Sequence, residues 1–172
     1  MKLKTFSMFA AIFLLSAALQ AGGFVGSAKD RQAAPAFSMT ALDGKTFTQK
    51  SLEGKVTLIT FWATWCGPCM QELPYFSKYY EKLQDKGVNV IAISTDGPET
   101  AAKVSALVKQ RGFKFPVVHD ASGALANTLN PRGNNPFGIL VDKKGRVAFR
   151  HEGYAPGDEK VYLKGILSLL KE

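Results

Sequence analysis

The chain has 172 residues, of which 46% are hydrophobic and 21% are charged, and this balance excludes an intrinsically disordered protein. The length suits one ordinary domain with a short additional segment. The formal charge is +8, but the basic residues are scattered along the chain. This scatter argues against a nucleic-acid-binding surface and is typical of a solvated exterior.

The N-terminus has the pattern of an export signal. Lys2 and Lys4 precede an uncharged apolar stretch at 6–19, and small residues follow that stretch. A basic start, an apolar core and small residues at the end are the three parts of a secretory signal peptide. We therefore predict a signal peptide at 1–21, with cleavage after Ala21.

An uncleaved membrane anchor is the alternative interpretation of the same segment. The chain carries no charge between Thr5 and Ala28, which is long enough for a helix to cross a bilayer and would extend the anchor to about residue 28. Under either interpretation we expect a linker at 22–34 and one domain at 35–172. That domain is expected to be periplasmic or otherwise extracytoplasmic.

Strand and helix patterns alternate along the predicted domain. Strands are predicted at 35–39, 45–48, 56–62, 88–94, 137–142 and 146–152, with a short segment at 115–119. Helices are predicted at 66–86, 99–111, 121–129 and 158–170. The last helix is expected to be capped by Asp158 and to direct four residues inward: Leu163, Ile166, Leu167 and Leu170. This order predicts an α/β fold in which helices cover both faces of a central mixed sheet, with an N-terminal β-hairpin.

The two cysteines are the strongest functional signal in the sequence. Cys66 and Cys69 are the only cysteines, they lie three residues apart, and they stand between a β-branched run at 56–62 and a helical pattern. A C-x-x-C pair in that context is typical of a redox site. A purely structural disulfide is disfavoured, because so small a loop gains little stability from closure.

The position of Cys66 predicts which cysteine attacks the substrate and which one resolves the mixed disulfide. At the start of a helix, unpaired N–H groups and the helix dipole favour an anion, so we expect Cys66 to be the nucleophilic thiolate. Cys69 lies one turn further on and is expected to be more buried. It would resolve a mixed disulfide by attacking Cys66 and releasing the reduced substrate.

Residues 61–69 read FWATWCGPC, and with Glu72 and Pro74 they resemble the TlpA/ResA-like branch of the thioredoxin superfamily. Members of this branch are extracytoplasmic thiol:disulfide oxidoreductases. The resemblance extends from about residue 35 to the end of the chain and includes the segments GKV at 54–56, FPV at 115–117 and VDKKGR at 141–146. It implies a thioredoxin-like fold with an extra N-terminal hairpin.

The same resemblance assigns roles near the cysteines. Cys66 and Cys69 match the redox pair, and Glu72 matches an acidic residue that manages their protons. The spacing agrees, since Glu72 follows Cys69 by three residues and both therefore share one helix face. Cytosolic thioredoxins carry an aspartate six residues before the first cysteine. This chain has Thr60 at that position, so Glu72 is the expected substitute.

The resemblance also implies that a second loop binds the substrate. Pro136 matches the proline that the superfamily holds in cis opposite the disulfide, where it would present the backbone of Asn135 to an extended substrate. Trp65 is expected to form an exposed apolar rim, and Gly67 and Pro68 to complete the docking surface. The residues of this loop differ from those usual in the branch, so the substrates of better-known members cannot be assigned to this chain.

These observations predict an extracytoplasmic thiol:disulfide oxidoreductase that reduces disulfides of exported proteins without an organic cofactor or a metal. Apocytochromes c awaiting haem are one candidate substrate class. A reductant in an oxidising compartment needs electrons, which implies a membrane thiol relay as the donor. Two alternatives remain open. One is a copper-binding chaperone that uses the same cysteines, and the other is a peroxiredoxin-like antioxidant.

Overall fold

The structure is a computed structural model that describes residues 23–24 and 27–172, so the predicted signal peptide lies outside the described residues. A six-stranded sheet has the order β1-β8-β7-β4-β5-β6. Its strands are β1 (Gly23–Phe24), β4 (Val56–Trp62), β5 (Val88–Ser94), β6 (Val117–His119), β7 (Phe137–Val141) and β8 (Val147–Glu152). A separate hairpin consists of β2 (Ser38–Thr40) and β3 (Thr46–Thr48).

The sheet is mixed, as predicted. Strand β5 runs parallel to both β4 and β6, whereas β7 is antiparallel to both β4 and β8. The helices are α1 (Gly67–Leu83), α2 (Ala101–Arg111), α3 (Ala124–Leu129) and α4 (Asp158–Leu170). None of the helices in the described part of the chain is long and apolar enough to cross a membrane.

Strand β4 is the centre of the fold, because all seven of its residues are buried. Its side chains alternate between two hydrophobic clusters: Leu58 and Trp62 pack with α1 and α4, while Ile59 and Phe61 face the β2–β3 hairpin and α3. A strand covered on both faces needs a continuous apolar and β-branched sequence, which is the pattern from which β4 was predicted. The predicted fold class is confirmed.

Helix α4 has the predicted bounds but differs in detail. Its N-cap is Gly157, without a side-chain cap, and Asp158 instead accepts hydrogen bonds from the backbone N–H of Ala155 and from His151. The predicted inward stripe is also wrong in part, because Leu167 is 42% exposed. The predicted Ile166 is fully buried, and Leu163 and Leu170 are half-buried against the same core. The fully buried neighbours of Ile166 on this face are Tyr162 and Leu169, each one residue before a predicted position.

The segment that precedes the hairpin is attached to the domain by a buried ionic network. Arg31, whose side chain is 6% exposed, lies 3.2 Å from Asp142 and 2.7 Å from Glu172. Burial alone would raise the pKa of Asp142, but hydrogen bonds from Arg146, the backbone and Arg31 lower it. Residues 27–34, which the sequence places in a linker, therefore belong to the folded unit in part.

Replacing Arg31 by Met should lower the free energy of unfolding by about 2 kcal/mol. This loss is smaller than the usual penalty for breaking a buried ion pair, because Arg146 still pairs with Asp142 in the variant. Arg132, which is 81% exposed and lies 3.4 Å from Glu152, is the matched control. Its replacement by Met should change the stability by less than about 0.5 kcal/mol. Urea denaturation measures both variants, and equal losses would contradict a structural role for the buried network.

Candidate active site

The two cysteines lie at the edge of the sheet where three strand ends meet. The register pairs Phe61 of β4 with Phe137 of β7, and Trp62 of β4 with Ser94 of β5. The turn that follows β4 therefore lies beside the start of β7 and the end of β5. Every residue that the sequence predicts for catalysis or substrate binding lies at this edge, with one exception. Glu72 lies a turn further along α1.

Cys66 and Cys69 form a disulfide with a Cα–Cα distance of 5.3 Å. Cys66 is the N-cap of α1, and its Sγ accepts a hydrogen bond from the backbone N–H of Cys69 at 3.2 Å. A sulfur that already accepts an N–H at a helix N-terminus is placed where a thiolate would be stabilised. Cys69 is fully buried, whereas Cys66 keeps a small exposed surface. The geometry therefore suits the predicted order of attack.

The surface around Cys66 is open and partly apolar. Trp65 is 71% exposed and is the most exposed large hydrophobic residue among residues 27–172. Gly67 and Pro68 are also exposed, and Pro68 lies in the first turn of α1, where its missing N–H costs nothing. Trp62, by contrast, is fully buried. The exposed rim that the sequence predicts at Trp65 is therefore present.

Glu72 lies inside the protein on the same helix as the cysteines. Its side chain is 1% exposed, and its Oε1 has no hydrogen-bond partner. Burial is the main cause that raises the pKa of Glu72 to about 8, and the charges of Asp158 and Glu159 on α4 act in the same direction. A carboxyl group with such a pKa can gain or lose a proton near neutral pH, as a proton relay requires.

The two acidic residues of α4 differ from Glu72 in their hydrogen bonds. Burial would raise the pKa of Glu159, but hydrogen bonds from the backbone N–H of Gly157 and from Tyr154 lower it. Glu159 therefore stays charged while Glu72 holds the proton. Sequence reasoning missed this arrangement, because Glu159 and Glu72 are far apart in the chain and come together only through the packing of α1 against α4.

The loop before β7 has the predicted backbone conformation. The peptide bond between Asn135 and Pro136 is cis, and Pro136 is buried at the start of β7. Asn135 is half-buried, and its Nδ2 donates to Thr95 Oγ1 at 2.7 Å. The side chain of Asn135 is thus turned towards the end of β5, and the presentation of its backbone to a substrate stays a prediction.

Metal ligation was the basis of one alternative function. Within the described ranges, no group of three or more His, Cys, Asp or Glu residues is arranged to hold a metal ion. Cys66 and Cys69 are bonded to each other, and the ring Nε2 atoms of His119 and His151 lie within hydrogen-bond distance of the Asp96 carbonyl and the Asp158 carboxylate.

Comparison with known proteins gives a consistent family. Residues 29–166 match the Redoxin family. A thiol-disulfide oxidoreductase ResA of Bacillus thuringiensis strain Al Hakam is 42% identical over 114 residues, which cover 66% of this chain and 64% of the relative. A second ResA, from Bacillus thuringiensis subsp. konkukian, is 39% identical over 77% of this chain and 76% of its own length. The chain thus spans about two thirds of the length of the first of these relatives.

Solved structures agree with the fold. A thiol:disulfide interchange protein of the thioredoxin family from Chlorobium tepidum superposes with a TM-score of 0.69 and 26% identity, covering 81% of this chain and 97% of its own. The mixed sheet, the flanking helices and the strand-to-helix position of the cysteines are therefore those of a thioredoxin-like fold. The fold predicted from the sequence is confirmed.

Proposed function

Since the chain belongs to the Redoxin family, in its ResA-like group, we propose that it is an extracytoplasmic thiol:disulfide oxidoreductase that reduces disulfides of exported proteins. One observation carries the proposal: a disulfide at the N-terminus of α1 stands one helical turn before a buried carboxyl group whose pKa is about 8. The signal-like N-terminal sequence supports export. No organic cofactor is required, since the cysteine pair itself carries the two electrons.

The reaction starts from the reduced protein. The Cys66 thiolate attacks one sulfur of the substrate disulfide, so that a new S–S bond joins Cys66 to the substrate. The second substrate sulfur leaves as a thiolate and takes up a proton. This step requires an accessible sulfur at residue 66, and the open surface beside Trp65 and Pro68 allows a protein chain to approach.

The second step returns the pair to the disulfide. The ionised form of Glu72 takes the proton of the Cys69 thiol, and the Cys69 thiolate attacks Cys66 Sγ. The substrate's remaining sulfur leaves as a thiolate and is protonated. Two electrons have then moved from the protein dithiol to the substrate. We propose a membrane thiol relay as the dithiol donor that reduces Cys66–Cys69 again.

The test is reduction of a model protein disulfide by the chemically reduced protein, with a Cys66→Ser variant as the inactive control. A reduction potential near about −270 mV would support a dedicated reductant, whereas one near about −120 mV would indicate an oxidant and overturn the reducing direction. Peroxide consumption by the wild type would instead favour the peroxiredoxin-like alternative.

Trapping identifies the substrate class. Cys69→Ser leaves Cys66 able to attack but unable to be released, so mixed disulfides should accumulate with exported proteins in the native host. Apocytochromes c among the trapped proteins would support a role in cytochrome c maturation. A Cys66→Ser/Cys69→Ser double variant should trap nothing, and equal trapping by that control would contradict the assignment.

A further inference from the structure

The carboxyl end of β5 carries three polar residues, of which the second and third hydrogen-bond to the loops of the candidate site. They are Ser94, Thr95 and Asp96. The backbone N–H of Thr95 donates to the carbonyl of Trp62 at 2.8 Å, at the end of β4. Thr95 Oγ1 also donates to that carbonyl, at 3.3 Å, and accepts the amide of Asn135. One hydroxyl thus joins the strand that leads to the cysteines to the loop that holds the cis-proline.

Asp96 extends this connection towards Cys66. Its carboxylate is buried and accepts two hydrogen bonds from Thr64: one from the backbone N–H at 2.9 Å and one from the hydroxyl at 2.6 Å. A third comes from Ser94 Oγ at 2.7 Å. Across the described ranges, no Lys, Arg or His side chain forms a salt bridge with Asp96. The hydrogen-bond partners of the carboxylate therefore lie in the turn before the cysteines and in its own strand, while the backbone carbonyl of Asp96 lies 2.9 Å from His119 Nε2.

The turn that Asp96 contacts leads directly to the nucleophile. Thr64 lies two residues before Cys66, and the backbone N–H of Cys66 itself donates to the carbonyl of Ala63. Both of the Thr64 hydrogen bonds hold the same short turn, and a buried donor that loses its acceptor is costly to the structure. Movement of that turn would carry Cys66 Sγ away from the N–H of Cys69 at the helix terminus.

We propose that Asp96 is a positioning residue, which fixes the turn at 63–66 so that Cys66 Sγ stays at the N-terminus of α1. Thr95 holds the Asn135–Pro136 loop in register with that turn. The effect on turnover rests on the proposed function, but the effect on the reactivity of Cys66 does not. A misplacement of reacting groups by about 1 Å can cost about 10²-fold in rate.

Four substitutions distinguish a hydrogen-bond tether between Asp96 and Thr64 from an effect of the Asp96 charge and from a general loss of stability. Asp96→Ala removes the acceptor, and Thr64→Val removes the hydroxyl donor while it keeps the shape of the side chain. Asp96→Asn removes the charge but can keep both contacts, because its amide oxygen can accept the Thr64 N–H and its NH2 group can donate to the Thr64 hydroxyl. Ser94→Ala is the matched control, because it deletes a hydrogen bond to Asp96 of similar length that does not reach the cysteine turn.

The measurement is the rate of Cys66 alkylation by iodoacetamide in the reduced protein, taken across the pH range with the thermal midpoint of each variant. We expect Asp96→Ala and Thr64→Val to slow alkylation at pH 7 by roughly three- to ten-fold and to move its profile to higher pH. Asp96→Asn and Ser94→Ala should stay within about two-fold of the wild type.

Two results would overturn the proposal. Wild-type alkylation in folded Asp96→Ala and Thr64→Val would mean that Asp96 contributes only to stability. An Asp96→Asn variant that changes as much as Asp96→Ala, or that alkylates faster than the wild type, would mean that the charge, not the tether, acts on Cys66. A wild type that alkylates normally but reduces no protein disulfide would refute the proposed function and leave the positioning of Cys66 testable.

Discussion

Replacing Glu72 by Gln is expected to stabilise the oxidised protein at pH 8 by up to about 4 kcal/mol, and to leave its stability unchanged below about pH 4.5. Burial and the charges on α4 raise the pKa of Glu72 from 4.5 to about 8 in the folded state. Between these values the unfolded chain loses the proton while the folded protein keeps it. Wild-type stability therefore falls as the pH rises, and the Gln variant lacks this loss.

Urea denaturation of the oxidised protein at intervals from pH 4 to pH 9 measures the effect. The difference between Glu72→Gln and the wild type should grow from about pH 4.5 and level off above about pH 8. Glu81 is an exposed glutamate on the same helix, so Glu81→Gln should give a curve parallel to the wild type. A constant difference between Glu72→Gln and the wild type would show that residue 72 is not a buried titrating group.

The same substitution separates stability from catalysis. A glutamine side chain at position 72 cannot accept the proton of Cys69, so resolution of the mixed disulfide should slow by about 10²-fold even though the fold becomes more stable. Such an opposed pair of effects is typical of a group that is kept in an unfavourable environment for its chemistry. Unchanged turnover in the Glu72→Gln variant would remove Glu72 from the mechanism.

Introducing a single methyl group at Gly138 should destabilise the protein by about 3 kcal/mol or more. A Cβ at that position would lie 2.6 Å from Cζ and 2.7 Å from Cε1 of the Tyr162 ring, and closer still to its hydroxyl. The ring cannot retreat, because it packs edge-on against Phe76 and Phe149 at centroid distances of 5.0 and 5.4 Å. The clash therefore falls on the centre of the core.

A double-mutant cycle tests whether the cost comes from this contact. Gly138→Ala should cost much less in a Tyr162→Leu background than in the wild type, because the smaller side chain leaves room for the methyl group. Gly67→Ala is the control, since a Cβ there meets no atom within 4 Å. Additive losses for the two core changes would refute the steric explanation.

The sequence predicted most of the fold because its signals are local. The β-branched run of β4, the cysteine spacing and the glycine after the α1 region are each contained in a few neighbouring residues. The position of Glu72 on the same helix face as Cys69 also followed from a short-range relation, the three-residue step between them. The identity of its neighbours did not, since Asp158 and Glu159 reach it only when α4 packs against α1.

Errors and omissions arose where side chains from distant segments compete for space. The stripe of α4 was offset because Tyr162 occupies the volume that Gly138 leaves open, and no local pattern links these two residues. The contact between Asp96 and Thr64 likewise spans 32 residues. The one available signal was three polar residues at the end of a buried strand, a place where functional side chains often gather in parallel sheets.

Segments from the N-terminal part of the chain cover both outer strands of the six-stranded sheet. Strand β8 would present unpaired backbone groups on one side, but β1 pairs with it, and Val147 N–H donates to the carbonyl of Gln32. On the opposite side, Ala41 bridges to Val118 of β6. Exposed edges are templates for association between chains. A shortened chain that starts at residue 35 would uncover β8 and become prone to edge-to-edge aggregation, although its cysteines would be untouched.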